Sequence, residues 1–218
     1  MKREKRKSFS VSVCLLVAFL LFTVLVRLVD VAAIGPLETT VGFATLNQFV
    51  HNLTGVHFFL YTVTDWLGLV PIGFAFAFGV VGLLQWIKRK SLLKVDRSLL
   101  VLGAFYIVVI AVYIFFELFA VNYRPVLIEG RLEASYPSST TMLVMCVMPT
   151  AMMQLNERIK NRALRRTVSL FITAFVVFTV GARLLSGVHW FTDIVCGALL
   201  SAGLVKMYAL AAHAESGE

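Results

Sequence analysis

The sequence predicts an all-α fold: a polytopic membrane bundle of about six transmembrane helices, with a short amphipathic helix on its outer surface. Hydrophobic residues make up 59% of the 218 residues and charged residues only 15%, whereas about a quarter of a soluble domain is charged. The mean hydropathy is +0.86. The apolar residues form long runs separated by basic segments, so we expect residues 1–218 to form a single integral membrane domain.

Six apolar runs are candidate spans, because each approaches the ~20 residues that cross a bilayer as a helix. The expected spans are residues 8–26, 66–87, 98–116, 134–156, 167–182 and 189–208. The fifth is short, and residues 183–187 could extend it. Between the first two spans, residues 39–55 carry apolar side chains at helical spacing with polar ones between them. This pattern predicts the short amphipathic helix.

The basic residues indicate how the spans are oriented. Fifteen of the 20 Lys and Arg residues lie in the N-terminal segment and in the loops after spans two and four. The opposite side has Arg124, Arg131 and Arg183. Because cytoplasmic loops are enriched in Lys and Arg, both termini should be cytoplasmic and the lipid bilayer is the expected partner. The net charge of +8 then reflects topology, and no nucleic-acid partner is expected.

Three outward segments carry polar residues that topology does not require: residues 123–125, 136–140 and 183–193. Ionisable groups at membrane depth are costly and are usually functional. His189 and Asp193 are four residues apart, which places them on one face of a helix. Asp193 can therefore accept a proton from one imidazole nitrogen, leaving the other nitrogen as a nucleophile or base.

The remaining polar residues suit a phosphoryl group. Arg124 and Arg183 offer two planar guanidinium groups, whose geometry matches phosphoryl oxygens. Ser138, Ser139 and Thr140 begin the fourth span, where hydroxyls and free backbone N–H groups can bind an anion. Each feature alone has an ordinary explanation, such as snorkelling or helix capping, but together they predict a phosphoryl site.

The arrangement resembles the type 2 phosphatidic acid phosphatase family of membrane lipid phosphatases. That family has three motifs: Lys, six residues, Arg-Pro; then Pro-Ser-Gly-His; then Ser-Arg, five residues, His, three residues, Asp. The matching segments here are residues 117–125, 137–140 and 182–193. The resemblance covers roughly residues 60–210, and the third motif is its most specific part.

The resemblance implies a role for each matching residue. His189 would be the nucleophile that forms a phosphohistidine, and Asp193 would orient it. Arg124, Arg183 and Ser138 would hold the phosphate. The family needs no metal, and the sequence shows no cluster of carboxylates, His or Cys that would bind one, so no cofactor is expected.

Three positions depart from the family's motifs. Glu117 replaces the Lys of the first motif, Thr140 replaces the His of the second, and Ala182 replaces the Ser of the third. The first change removes a phosphate-binding cation and adds an anion, for which Arg124 and Arg131 are the candidate partners. The third removes a phosphate-binding hydroxyl.

The change at Thr140 has a consequence for the substrate. Thr cannot donate a proton at an accessible pKa, so the family's acid on the leaving group is missing. A diphosphate expels a stable phosphate anion, whereas a monoester expels an alkoxide that must be protonated. The sequence therefore favours a lipid diphosphate, such as a polyprenyl diphosphate. His51 or His57, from the outer loop, is an alternative source of the acid.

The function predicted from these features is a phosphatase that acts on a lipid phosphate or diphosphate at the outer face of the cell membrane. One alternative is a relative that binds lipid phosphate head groups without turnover. A third possibility is a transporter. Its candidate charges, Arg27, Asp30 and Asp65, lie near the outer ends of their spans, and no pair of broken helices in matching halves supports it.

Overall fold

The structure, a computed structural model, describes residues 2–212. The α-helices within this range, in chain order, are α1 (Lys2–Leu28), α2 (Ala44–Thr54), α3 (Phe58–Leu67), α4 (Leu69–Arg89), α5 (Arg97–Leu118), α6 (Ser139–Arg158), α7 (Arg162–Leu185) and α8 (Phe191–Ala212). Between α1 and α2, the two-residue strands β1 (Ala32–Ala33) and β2 (Thr40–Val41) pair antiparallel. Short 3₁₀ turns lie at Pro36–Glu38 and Leu92–Lys94. The predicted all-α fold is confirmed.

The protein is a multi-pass membrane protein. In the described part of the chain, five stretches are long and apolar enough to span a membrane: Arg6–Leu28, Phe58–Arg89, Arg97–Leu118, Arg162–Leu185 and Phe191–Ala212. The remaining long helix, α6, has 20 residues. It is less apolar than the others because it packs against α4, α5, α7 and α8, so its polar side chains are covered by protein rather than by lipid.

Several predicted span boundaries are corrected. The fourth span begins at Ser139 rather than at residue 134, because residues 134–138 form the loop before α6. The second span begins at Phe58 rather than at residue 66, because α3 runs almost directly into α4 and together they form one stretch of 32 residues. The fifth span, predicted as residues 167–182, is a full-length helix, α7 (Arg162–Leu185). Its first turns carry the arginines that the sequence pattern assigned to a loop, since a helix end at a membrane surface tolerates charge.

The predicted amphipathic helix is present as α2, but it does more than lie on a surface. Asn47 on its inner face is fully buried. The side chain of Asn47 donates to the Gly42 carbonyl at 2.8 Å and to Thr192 Oγ1 at 3.0 Å, and it accepts from the Thr192 backbone N–H at 3.1 Å. Because Thr192 lies in the first turn of α8, where N–H groups lack helical partners, α2 caps the helix that carries Asp193.

The turn between α7 and α8 packs closely against the turn between α2 and α3. Gly187 has a positive φ of 67°, and a Cβ there would lie 1.8 Å from the Gly55 carbonyl oxygen. The His57 N–H donates to the Ser186 carbonyl at 2.9 Å. Any larger residue at position 187 would push the turns apart, and this close contact is what brings α3 alongside the site.

Tyr136 anchors the loop before α6. Its ring is buried between Phe19, at a centroid distance of 6.4 Å, and Phe116, at 5.8 Å. Its hydroxyl is 2.6 Å from Thr23 Oγ1. Packing on two sides and a hydrogen bond at the hydroxyl restrain the Tyr136 ring to a single orientation. The neighbouring loop residues are therefore fixed relative to the bundle.

Candidate active site

The three polar segments meet at one end of the bundle. His189 lies in the turn between α7 and α8, and Arg124 lies in the loop that follows α5. The loop before α6 is tied to this turn at two points. His189 Nδ1 is 3.1 Å from the Ser135 carbonyl oxygen, and the Ser138 N–H donates to the Asp193 carbonyl at 3.1 Å. Residues that are far apart in sequence thus surround one imidazole.

His189 is only 3% exposed. Because a carbonyl can only accept, the contact with Ser135 assigns the ring proton to Nδ1. Nε2 is unprotonated, and its lone pair accepts a hydrogen bond from Nη1 of Arg124 at 3.3 Å. Burial is the main cause that lowers the pKa of His189 well below its usual range, and the charges of Arg124 and Arg183 lower it further. The imidazole is therefore neutral at neutral pH, the form that a nucleophile requires.

Asp193 does not form the hydrogen bond to His189 that the sequence predicts. The closest approach of its Oδ2 to Nδ1 is 3.9 Å, too long for a hydrogen bond. Asp193 is 0% exposed and accepts from Ser135 Oγ at 2.7 Å, from the Trp190 N–H at 3.0 Å and from Asn122 Nδ2 at 3.3 Å. It therefore holds the two backbone segments that hold His189, rather than the ring itself.

Ser135 and Asn122 were missed by the sequence reasoning. Ser135 makes two hydrogen bonds in the site: its hydroxyl donates to Asp193, and its backbone carbonyl accepts from His189. Neither residue falls at a helical spacing from the third motif. The one available signal was their position as polar residues in the outer loop between α5 and α6.

Arg124 is paired with a carboxylate that the sequence did not single out. Its Nε lies 3.0 Å from Oε2 of Glu133, although the two atoms are not aligned as a hydrogen bond. The Arg124 N–H donates to the Glu133 carbonyl at 3.0 Å, which keeps the two residues side by side. The pair expected between Glu117 and Arg124 or Arg131 is not formed, and no ion pair of Glu117 is found within residues 2–212.

Arg183 is 1% exposed, so it does not snorkel to the surface. Its Nη1 donates to Thr64 Oγ1 at 3.1 Å and lies 4.0 Å from Oδ1 of Asp65. Its Nε has no hydrogen-bond partner among the described residues. A buried N–H without a partner costs about 1–3 kcal/mol, which an anionic ligand at this position would offset.

Tyr61 on α3 lies between the two arginines. The guanidinium carbon of Arg183 is 4.8 Å from the centre of its ring, and that of Arg124 is 5.7 Å away. Both distances are within the range of a cation–π contact. An aromatic residue in an apolar run gave no sequence signal for this role. The ring holds two like charges near each other, which is the arrangement that an anion with several oxygens needs.

The hydroxyls at the start of α6 divide into two groups. Ser138 is fully buried and caps the helix: its Oγ accepts from the Thr141 N–H at 3.4 Å and from Thr141 Oγ1 at 3.0 Å. Ser139 and Thr140 instead line a cavity of about 540 Å³ between α4, α5 and α6. Asp65 also lines this cavity, and the other lining residues are mainly apolar. The cavity is within the size range of small-ligand sites.

The two histidines considered as proton donors have other contacts. His57 Nε2 is 2.9 Å from the Thr54 carbonyl oxygen and the residue is exposed. The ring of His51 lies 5.5 Å from that of Trp190, and burial lowers the pKa of His51. Neither residue has a hydrogen bond to Arg124, Arg183 or His189 in the described structure.

In the part of the chain that the structure describes, no group of three or more His, Cys, Asp or Glu side chains could hold a metal ion. The site contains a neutral imidazole with an unprotonated nitrogen, two buried guanidinium groups and a helix N-terminus. This set can bind a phosphoryl group and present a nucleophile to it.

Two comparisons with known proteins found a match. A sequence model of the PAP2 superfamily matches residues 104–215, which include all three polar segments. A crystal structure of a transmembrane PAP2-type phosphatidylglycerolphosphate phosphatase from Bacillus subtilis is similar in fold, with a TM-score of 0.61 and 17% sequence identity. The match covers 91% of this chain and 94% of that one. No curated protein matches the sequence significantly.

Proposed function

The chain belongs to the PAP2 superfamily, and from this premise we propose that it is a phosphatase that hydrolyses a lipid phosphate or diphosphate at the outer face of the membrane. The observation that carries the proposal is the unprotonated Nε2 of a neutral, buried His189, which accepts a hydrogen bond from Nη1 of Arg124 at 3.3 Å. The fold similarity to a membrane lipid phosphatase supports the same class of reaction.

The reaction has two steps. In the first, the lone pair of His189 Nε2 forms a bond to phosphorus, and the bond from phosphorus to the leaving oxygen breaks, with its electron pair going to that oxygen. In the second, water attacks phosphorus and the P–N bond breaks, returning its electron pair to Nε2. Arg124 and Arg183 stabilise the charge on the phosphoryl oxygens in both steps, and Asp193 and Ser135 hold the imidazole in place.

The cavity beside the site favours a lipid substrate. Ser139, Thr140 and Asp65 are among its lining residues, and most of its wall is apolar. A hydrocarbon chain lying between α4 and α5 would have its phosphate beside the polar lining residues, of which Asp65 lies 4.0 Å from Nη1 of Arg183. A water-soluble phosphate ester would leave this apolar surface unused.

Thr140 favours a diphosphate over a monoester. A positioned general acid is typically worth ~10²–10⁴-fold, and Thr140 cannot supply the proton that an alkoxide leaving group requires. A phosphate leaving group has a second pKa of about 6 and leaves as a stable anion. We therefore favour a polyprenyl diphosphate, with the active site facing outward because the basic loops lie at the other end of the bundle.

The proposal is tested by phosphate release from the purified protein in detergent, with a panel of lipid mono- and diphosphates. The native protein should release phosphate fastest from a polyprenyl diphosphate, and His189→Ala should release none. A native protein that releases no phosphate from any member of the panel contradicts the proposal.

A second candidate function is binding of a lipid phosphate head group without turnover. The observation that favours it is that each arginine of the site already faces a carboxylate: Arg124 faces Glu133 and Arg183 faces Asp65. The two functions differ in one result. A binder retains the lipid in both the native protein and His189→Ala and releases no phosphate from either.

A further inference from the structure

Glu133 shares a guanidinium group with the nucleophile. Arg124 Nε lies 3.0 Å from Oε2 of Glu133, while Nη1 of the same side chain lies 3.3 Å from His189 Nε2. The imidazole and the carboxylate are therefore separated by the width of one planar guanidinium. A phosphoryl group on Nε2 that contacted Arg124 would have the Glu133 carboxylate beside it.

The second step of the proposed reaction needs a base that the recognised motifs lack. Water is a weak nucleophile and attacks phosphorus faster when a neighbouring group takes its proton. Thr140 occupies the position at which the family has a histidine, and a hydroxyl cannot take that role. With a diphosphate substrate, the first step needs no acid, so the missing base is the main gap in the mechanism.

Glu133 suits this role better than the other carboxylates of the site. Its side chain is 38% exposed, so solvent water can reach it. Asp193 is fully buried and already accepts three hydrogen bonds. Asp65 faces Arg183, which has no hydrogen bond to His189 in the described residues.

We propose that Glu133 is the general base that hydrolyses the phosphohistidine, an inference that rests on the proposed function. The carboxylate takes a proton from water as the water oxygen bonds to phosphorus. The P–N bond breaks, and its electron pair returns to Nε2 of His189. Glu133 then passes the proton to solvent, and inorganic phosphate leaves.

Glu133→Gln tests the inference, because it keeps the size of the side chain and an oxygen that can face Arg124 but removes the base. With a polyprenyl diphosphate, steady-state turnover should fall by about 10²–10⁴-fold, while the first turnover in a rapid-quench experiment keeps nearly its native rate. Acid-labile, base-stable phosphoenzyme should accumulate. Residual turnover should rise with pH, since hydroxide replaces the missing base. Glu129→Gln, in the same loop, is the matched control and should behave as native.

A purely structural role for Glu133 predicts a different result. If Glu133 only positions Arg124, Glu133→Gln slows the first turnover as much as the steady state, and no phosphoenzyme accumulates; this outcome overturns the inference. Native steady-state turnover in Glu133→Gln also overturns it. Glu133→Asp, which keeps the carboxylate, should retain more turnover than Glu133→Gln, and thermal melting of both variants checks that they are folded.

Failure of the proposed function and failure of the Glu133 inference give different experimental results. If the native protein shows no turnover that depends on His189, the proposed function fails and the inference fails with it. If the native protein turns over through His189 but Glu133→Gln does not accumulate phosphoenzyme, only the inference fails. Adding Thr140→His to Glu133→Gln should restore part of the turnover, because it returns a base to the position that the family uses.

Discussion

Ser135 links Asp193 to His189, and its removal should lower catalysis without unfolding the protein. The Ser135 hydroxyl donates to Asp193 Oδ2 at 2.7 Å, and the same residue's carbonyl accepts from His189 Nδ1 at 3.1 Å. In Ser135→Ala the second contact remains, but the segment that provides it is no longer held by the carboxylate. The imidazole should then sample orientations that point Nε2 away from phosphorus.

The size of the effect follows from the bond that is lost. A hydrogen bond to a charged group is worth about 1.5–3 kcal/mol, and about 1.4 kcal/mol corresponds to a tenfold change in rate. If the free energy of this hydrogen bond is added in full to the activation barrier of the chemical step, Ser135→Ala should lower kcat by roughly 10- to 100-fold. Asp193→Asn should lower it further, because it removes the charge that attracts three donors at once. The double variant should have a kcat only slightly below that of Asp193→Asn, because both substitutions remove the same contact between Ser135 and Asp193.

The assay is phosphate release from a polyprenyl diphosphate, with thermal melting in parallel. Ser12→Ala is the matched control: its hydroxyl is also fully buried and donates to the Gly203 carbonyl at 2.7 Å, but it joins α1 to α8 outside the site. Ser12→Ala should lower the melting temperature and leave kcat unchanged. If Ser135→Ala keeps kcat within twofold while Asp193→Asn is severely impaired, Asp193 does not act through Ser135.

Orientation, pH dependence and substrate choice give three independent checks. An impermeant thiol reagent on intact cells should label Glu129→Cys and spare Lys160→Cys, and the reverse pattern contradicts an outward site. Burial and the two arginines lower the pKa of His189 well below 6.5, so the imidazole stays unprotonated to lower pH than an ordinary histidine. We therefore expect kcat/KM to stay constant as the pH falls through 6.5. A fall of kcat/KM to half its value at pH 6.5 would contradict this. Thr140→His should raise the rate on phosphatidic acid far more than on a polyprenyl diphosphate, and an equal gain on both removes the case for a missing acid.

The parts of the site that sequence reasoning found are those that short-range spacing encodes. The four-residue spacing of His189 and Asp193 and the arginines beside apolar runs need no knowledge of the fold. The helical character of residues 44–54 likewise follows from one period of apolar residues. The charge pattern that distinguishes the two ends of the bundle is also local in each loop.

The parts that it missed depend on contacts between distant segments. Ser135 reaches His189 through its backbone carbonyl, a group that every residue has, so nothing in the sequence marks it. Tyr61 contacts Arg124 and Arg183 only because the turns at Gly55 and Gly187 pack together. The hydrogen bond expected between Asp193 and His189 was wrong for the same reason. Helical spacing predicts that the two side chains share a helix face, but it does not reveal the donors from other segments that bind the Asp193 carboxylate instead.

The boundary errors have a related cause. The apolar run of the second span starts at residue 66, directly after the polar residues Thr64 and Asp65. In the structure Thr64 is buried and accepts a hydrogen bond from Arg183, so these residues belong to a helix that faces the site. Polar residues in a membrane helix mislead a composition-based boundary when protein, rather than lipid, covers them.

The central claim is that His189 becomes covalently phosphorylated during turnover. The most direct measurement is a rapid quench in base of the native protein mixed with a polyprenyl diphosphate labelled in its terminal phosphate, followed by peptide mapping of the bound label. We predict base-stable, acid-labile label on the peptide that contains His189, formed and lost at rates that account for phosphate release, and no label in His189→Ala. Phosphate release by the native protein without label on that peptide, or undiminished release by His189→Ala, would contradict the account.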